Sequence, residues 1–281
     1  MSSAPRLAAV IGHPIGHSLS PLIHRTWAER EGALAFYVPV DGGEDDAAFA
    51  RIVEGLAKAG FRGANVTIPF KQAAFALADR RTDAADAIGA ANMLTFDERG
   101  VTADNSDAIG LAAALRQDAD LGKVSSALIL GAGGAARGVA YAMRTLLSLD
   151  AVTISNRTTS RAEEIADRFD LAVADWPAAD AVAEADLIVN ATSLGMTGAP
   201  SLPLDADQLK PGAIVCDIVY TPLQTPFLQE AAARGCVAIN GLSMLMHQAV
   251  PGYRAWLGDV ADVDADLEAR LLDALAERDR P

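Results

Sequence analysis

Apolar residues come in short runs separated by stretches of helical spacing for most of the chain. Leu7–Gly12, Ala35–Val40 and Gly63–Ile68 read as strands, with helices over Pro21–Arg30 and Ala47–Ala59 between them. This βαβαβ alternation predicts a parallel sheet with helices on its faces. Two shorter apolar pieces, Asn92–Phe96 and Gly100–Ala103, flank the turn Asp97-Glu98-Arg99-Gly100, and a helix follows near Ser106–Arg116. A second alternating series then places strands at Ala127–Gly131, Ala151–Ser155, Leu187–Ala191 and Ala213–Asp217, with a last one near Val237–Ile239. The Gly-, Pro- and Ser-rich connection Ser193–Gly212 is long enough to predict a functional or mobile loop. After Asn240 the pattern is helical, with Leu242, Leu245, Met246, Ala249 and Tyr253 in step, then Leu267, Leu271, Leu272 and Leu275. Pro251 is expected to kink or divide the first of these helices. The expected fold is two α/β domains, with the helical tail returning to the first.

Composition narrows the class. A length of 281 residues suggests about two domains. With 51% hydrophobic and 21% charged residues the chain is globular, and no apolar stretch is long enough for a membrane helix. The start, MSSAPRLAAVIGHP, has neither a signal-peptide core nor transit-peptide enrichment, and Cys216 and Cys236 cannot frame a disulfide scaffold. A cytoplasmic protein with reduced thiols is expected. The net charge of −14 argues against nucleic acid as a partner. Much of that charge sits in Asp41–Asp46 and beyond Asp259, where it reads as solvated surface, so anionic ligands would need local cations. Lysine is scarce: Lys58, Lys71, Lys123 and Lys210 are the only four among 23 basic residues.

The sharpest local motif is Gly131-Ala132-Gly133-Gly134-Ala135-Ala136, a G-x-G-x-x-A turn directly after a strand. Its glycines permit a tight turn and close approach of backbone to a pyrophosphate at a helix N-terminus. The next strand runs into Asn156-Arg157-Thr158, with Arg161 one turn on, where an NAD site places an acid on the ribose. Guanidinium groups suit a 2′-phosphate instead, which points to NADP and away from an S-adenosylmethionine site. An exposed helix start is the plain alternative, although cations there oppose the helix dipole.

In the first half, polar residues cluster where strands end. Ser18 and Ser20 sit at a helix entry before Pro21, as caps or as a carboxylate cradle. His13 and His17 are separated by Pro14 and Gly16, which exclude the helix that would make them a metal pair, and no metal site is expected. Asn65 and Thr67 share a face at period two, and Lys71 follows Pro69 in a first helical turn, where a cation is unfavourable. Asn92 and the string Asp104-Asn105-Ser106-Asp107 come next. A carboxylate such as Asp107 facing Lys71 would make a proton-transfer pair for a dehydrogenase acting on a polyhydroxylated substrate.

Taken together, HSLSP at 17–21, GANVTIPFK at 63–71, DNSD at 104–107, GAGGAARG at 131–138, NRT at 156–158, NATSLGM at 190–196 and GLSML with Gln248 resemble the shikimate dehydrogenase family over essentially the whole chain. The resemblance implies NADPH-dependent, reversible reduction of 3-dehydroshikimate to shikimate in aromatic amino-acid biosynthesis. It implies an N-terminal substrate-binding domain of residues 1–107 plus 241–281, a Rossmann-like NADP domain of residues 108–240, and an active site in the cleft between them. By position, Lys71 and Asp107 are the implied catalytic pair. Ser18, Ser20 and Tyr220 are the implied carboxylate holders, and Asn65, Thr67, Asn92 and Gln248 the partners of ring hydroxyls. Gly131, Ala132, Gly133, Gly134, Ala135, Asn156, Arg157, Thr158, Arg161, Thr192 and Gly241 are the implied cofactor contacts. The sequence departs from the family pattern at Met93, Ala108 and Ser243, none a proposed catalytic group, and substrate preference is where an effect is expected. A quinate or dual quinate/shikimate dehydrogenase, with NAD or dual cofactor use, is the alternative enzyme, and a non-catalytic NADP or metabolite sensor the alternative class. Either a monomer or a homodimer is compatible.

Overall fold

The structure, a computed structural model, describes residues 4–278. The chain divides into two compact units, one running to Ser106 and resuming at Met246, the other spanning Asp107–Leu245.

The first unit contains β1 (Arg6–Gly12), α1 (Ser20–Glu31), β2 (Ala35–Asp41), α2 (Asp46–Lys58), β3 (Gly63–Val66), α3 (Lys71–Leu77), β4 (Arg80–Arg81), α4 (Asp83–Ile88), β5 (Met93–Asp97) and β6 (Gly100–Asp104). Its sheet has the order β2-β1-β3-β5-β6-β4. The βαβαβ half is parallel as the pattern predicts, while β5 runs antiparallel to both β3 and β6. The antiparallel return is built by a tight turn at Gly100, too short for the crossover a parallel strand needs. Helix ends follow local chemistry. Asp45 caps α2 by accepting from Ala48 N–H at 2.7 Å, and left-handed Gly32 closes α1. The apolar interior joins Ile11, Ala64, Val66 and Leu94 to Phe49 and Phe70, which stack at 4.7 Å.

The second unit contains α5 (Asp107–Asp118), β7 (Ser126–Leu130), α6 (Gly134–Tyr141, continued by a π turn over Ala142–Leu146), β8 (Ala151–Ser155), α7 (Thr159–Phe169), β9 (Ala172–Ala174), α8 (Ala179–Glu184), β10 (Leu187–Asn190), β11 (Ile214–Asp217), α9 (Pro226–Ala233) and β12 (Val237–Ile239). All its strand pairs are parallel, in the order β12-β11-β10-β7-β8-β9. The order reverses beside β7, so a crevice opens at the carboxyl ends of β7 and β10, where open α/β sheets bind ligands. The central strands β7, β10 and β11 are buried on both faces, which is why they read as continuous apolar runs. Short β4, β9 and α8 and the capped α9 escape the sequence pattern because each is at most eight residues long. Cys216 and Cys236 are both free and buried.

The tail forms α10 (Gly241–Trp256) and α11 (Ala265–Arg278). Pro251 lies inside α10, which runs undivided from Gly241 to Trp256, so of the expected kink or division the division does not occur. Proline removes one intrahelical donor, and the helix continues because its far end is held by packing. The Trp256 indole donates to Thr95 Oγ1 at 2.9 Å, and only a glycine at 63 leaves room for that ring. Among the described residues no helix is long and apolar enough to cross a membrane.

Candidate active site

In the first unit the strand-end polar residues form one buried network. Asn65 is the third residue of β3 and is 5% exposed; Asn92 immediately precedes β5 and is 3% exposed. Asn65 donates through Nδ2 to the Asn92 carbonyl at 3.1 Å, and its Oδ1 accepts from the Tyr37 hydroxyl at 2.7 Å. The Asn92 Oδ1 accepts from Ser106 N–H at 2.7 Å, while its Nδ2 reaches Ser106 Oγ at 3.1 Å and Gln248 Oε1 at 3.5 Å. Asn65, Asn92 and Gln248 are therefore brought together. Thr67 lies just past β3, half-buried, and its backbone N–H donates to the Ile11 carbonyl. Lys71 opens α3, half-buried, and its carbonyl accepts from Ala91 N–H, which sets it next to the Asn92 corner.

The serines do not cap α1 as expected. The cap position is Leu19, no side chain caps the helix, and Ser20 is already its first residue with Pro21 second. Ser18 Oγ instead accepts from Ser20 N–H at 3.3 Å, and buried Ser20 hydrogen-bonds Tyr37. Tyr37 thus links a proposed carboxylate holder to a proposed hydroxyl partner. Burial holds its phenol well above the ordinary value, opposed by the Ser20 hydrogen bond. His24 stacks on Tyr37 at 3.8 Å and has no hydrogen-bond partner at either ring nitrogen among the described residues. Burial pushes it down to about 3, so it is neutral. His13 Nδ1 lies 2.9 Å from Asp41 Oδ1 and His17 is exposed.

The second unit places the cofactor candidates along the carboxyl ends of its strands. Gly131 adopts φ +103°, a conformation that strains any other residue, and turns the chain from β7 toward α6. Gly133 and Gly134 are exposed, and a side-chain carbon built on either meets nothing within 4 Å, the open cradle a phosphate requires. No side chain caps α6, and Ala132 N–H is held by Asn156 Oδ1 at 3.1 Å. Ala135 is half-buried in its first turn. Arg157 and Thr158 lie exposed between β8 and α7, and Arg161 is exposed in the first turn of α7. No carboxylate follows β8 before α7. These residues fit a nicotinamide dinucleotide bearing a 2′-phosphate.

Thr192, Tyr220 and Gly241 lie beyond β10, beyond β11 and at the start of α10. Thr192 N–H and Oγ1 both donate to Asn190 Oδ1, at 3.0 and 2.7 Å. Gly241 N–H donates to the Val219 carbonyl at 3.0 Å, one residue before half-buried Tyr220. Asp107 heads α5, with its Cβ 3.9 Å from where a side chain on Gly138 would begin. Of the departures, Met93 is buried directly across from Asn65, Ala108 is buried in α5, and the Ser243 hydroxyl is buried with no partner among the described residues.

Residues 10–94 match the family model described as the shikimate dehydrogenase substrate binding domain, and residues 114–197 the one described as shikimate / quinate 5-dehydrogenase. The shikimate dehydrogenase (NADP(+)) of Acidiphilium cryptum strain JF-5 is 48% identical over 94% of this chain and 95% of its own. The chain belongs to the shikimate dehydrogenase family. Among solved members, the shikimate 5-dehydrogenase of Thermus thermophilus, in complex with NADP(H) and shikimate, is 36% identical with a TM-score of 0.84, covering 97% of this chain and 99% of that one. The quinate dehydrogenase of Corynebacterium glutamicum, in complex with NAD, is 30% identical with a TM-score of 0.87, covering 96% and 99%. Family members that differ in substrate and cofactor therefore share this fold, and the side chains have to distinguish them.

The residues that sequence reasoning missed are Tyr37, His24, Ser106, Asn190 and Asp217. Ser106 and Asn190 lie inside quoted motifs but have no assigned role there. Tyr37 is marked only by being the buried position of a strand whose neighbours Phe36 and Val38 are exposed.

Proposed function

We propose that the chain catalyses the reversible, NADP-dependent interconversion of 3-dehydroshikimate and shikimate in aromatic amino-acid biosynthesis, in the cytoplasm, with its two thiols reduced. The observation that carries this reading is the buried polar network of Asn65, Asn92, Ser106 and Gln248 adjoining Lys71. Mutual hydrogen bonds hold these amides in fixed directions, and amides carry both donors and acceptors, as the recognition of a hydroxylated ring requires.

When bound, NADP supplies or accepts the hydride. Gly131, Ala132, Gly133, Gly134 and Ala135 would hold its pyrophosphate, Asn156, Arg157, Thr158 and Arg161 its adenosine phosphate, and Thr192 and Gly241 its nicotinamide half. Ser18, Ser20 and Tyr220 hold the substrate carboxylate through hydroxyl donors. Asn65, Thr67, Asn92 and Gln248 fix the ring hydroxyls. Lys71 exchanges the proton of the reacting oxygen, and Asp107 orients the ammonium and balances its charge. Residues 1–107 plus 241–281 act as the substrate-binding part and 108–240 as the cofactor-binding part. The C. glutamicum relative makes quinate with NAD the pairing to exclude. Purified protein is assayed with shikimate and quinate, each with NADP and NAD. Shikimate with NADP is expected to give the highest kcat/KM, and a maximum for quinate with NAD overturns the reading.

A further inference from the structure

At the carboxyl ends of β10 and β11 a carboxylate lies wholly inside the second unit. Asp217 is 0% exposed and makes no ion pair among the described residues. Three donors converge on it. Val219 N–H reaches Oδ1 at 3.0 Å, and Asn190 Nδ2 and Thr225 Oγ1 reach Oδ2 at 3.1 and 2.9 Å. With donors at both of its oxygens the carboxyl group acts as acceptor in each of these bonds, and so sets the direction of the groups that meet it. The Asn190 amide must turn its NH2 toward Asp217, where it also donates to the Leu194 carbonyl at 3.1 Å. Its Oδ1 is then left facing the next loop, where it accepts both the N–H and the hydroxyl of Thr192. The Thr192 oxygen in turn accepts Leu194 N–H at 3.0 Å.

On the other side, the bond to Val219 N–H fixes the turn that leads into Tyr220. The Val219 carbonyl receives Gly241 N–H, and Ile218 N–H returns to the Asn190 carbonyl at 3.2 Å. Thr225, the third donor's residue, is the N-cap of α9, which anchors the far end of the 218–225 segment. Gly195 packs over the cluster, with a side chain built there lying 3.3 Å from Thr225 Cβ. A single accepting group thereby ties together the segments bearing Thr192, Tyr220 and Gly241.

We propose that Asp217 is a positioning residue for ligand binding, which orients Thr192 through Asn190 and holds the Val219 turn that presents Tyr220 and Gly241. The proposal rests on the functional reading above, in which Thr192 and Gly241 meet the cofactor and Tyr220 the substrate. Asparagine at 217 has nearly the same shape but carries an NH2, which meets a donor wherever it is placed. Asn190 can then flip, and Thr192 loses its acceptor.

Steady-state kinetics with shikimate and NADP test this on Asp217→Asn, Thr192→Val and the double variant. Asp217→Asn is expected to raise KM for NADP roughly tenfold or more and KM for shikimate several-fold, with kcat changed less. Thr192→Val is expected to raise KM for NADP in the wild-type background and to add little in the Asp217→Asn background, since both changes remove one function. Unchanged KM values, or effects that multiply independently, overturn the proposal. If Asp217→Asn does not fold, Thr225→Val keeps the carboxylate and removes one donor. A several-fold rise in KM for NADP then supports the proposal, and no change overturns it. A wild type that turns over no shikimate with NADP overturns the functional reading, which is distinguishable from an active wild type whose variants keep its KM values.

Discussion

At the carboxyl edge of the first unit's sheet, Asn65 and Asn92 are buried and bonded to other side chains. At the same edge of the second unit's sheet, Arg157, Thr158 and Arg161 are exposed, and the glycine turn offers backbone and open space. In the proposed function the contrast follows from what each edge recognises. The hydroxyls of a small ring are distinguished by the direction of their hydrogen bonds, and direction is selective only where water is excluded and side chains are fixed. A phosphate is recognised by charge and by backbone N–H groups, which work at a solvated surface. At the first edge the amides are buried and bonded to one another, while the second is open and cationic. The Asp217 cluster is a part of the second unit built like the first.

If that contrast is sound, variants at the two edges should differ in kind as well as size. The largest effect is expected from Lys71→Ala, which should lower kcat by about 10²–10⁴-fold with little change in either KM. Single-turnover rates measure it, and a variant that keeps turnover removes Lys71 from the proton path. Next comes the acid sensitivity of the buried side. His24 is held at about 3 in the folded state, below its ordinary 6.5, so the unfolded chain takes up the proton first. Stability from this group is therefore complete above pH 6.5 and lost as pH falls toward 3. The slope is about 1.4 kcal/mol per pH unit, or roughly 4–5 kcal/mol across the window. Urea unfolding of wild type and His24→Gln between about pH 7 and pH 4 measures it, and equal slopes contradict the assignment.

On the exposed edge, Arg157→Ala should raise KM for NADP by roughly ten- to fiftyfold and leave KM for NAD nearly unchanged. An equal loss with both cofactors places Arg157 away from the 2′-phosphate. The smallest effect is expected from Tyr37→Phe, which removes only the hydroxyl linking Ser20 and Asn65. It should cost about 1 kcal/mol, a roughly fivefold rise in KM for shikimate with KM for NADP unmoved. A change confined to the NADP parameter would break the comparison.

The strand and helix alternation is legible in the sequence because buried parallel strands are apolar runs and helices carry a 3.6-residue stripe. The glycine turn and the NRT corner are legible because both act through local backbone and charge. Ser20 reads as a cap and is not one, because the helix starts one residue earlier than Pro21 suggests. Pro251 reads as a kink or a division, and the helix runs through it undivided, its last residue Trp256 tied to Thr95 far away in the sequence. Tyr37 and Asp217 are illegible as functional groups. A tyrosine in a strand and an aspartate after one are ordinary, and only their partners give them a role.

By itself the sequence determined the two α/β halves, the family resemblance, the phosphate-type turn and the local cations beside it. Each of these depends on residues within a turn or two of one another. The tertiary structure alone decided which polar groups share hydrogen bonds: Tyr37 with Asn65 across 28 positions, Asn92 with Gln248 across 156, and Asp217 with Asn190 across 27. Such pairings are made by the sheet order and by the return of the C-terminal helices. Burial then turns them into fixed directions, because an amide or carboxylate cut off from water must keep the partners the fold assigns it.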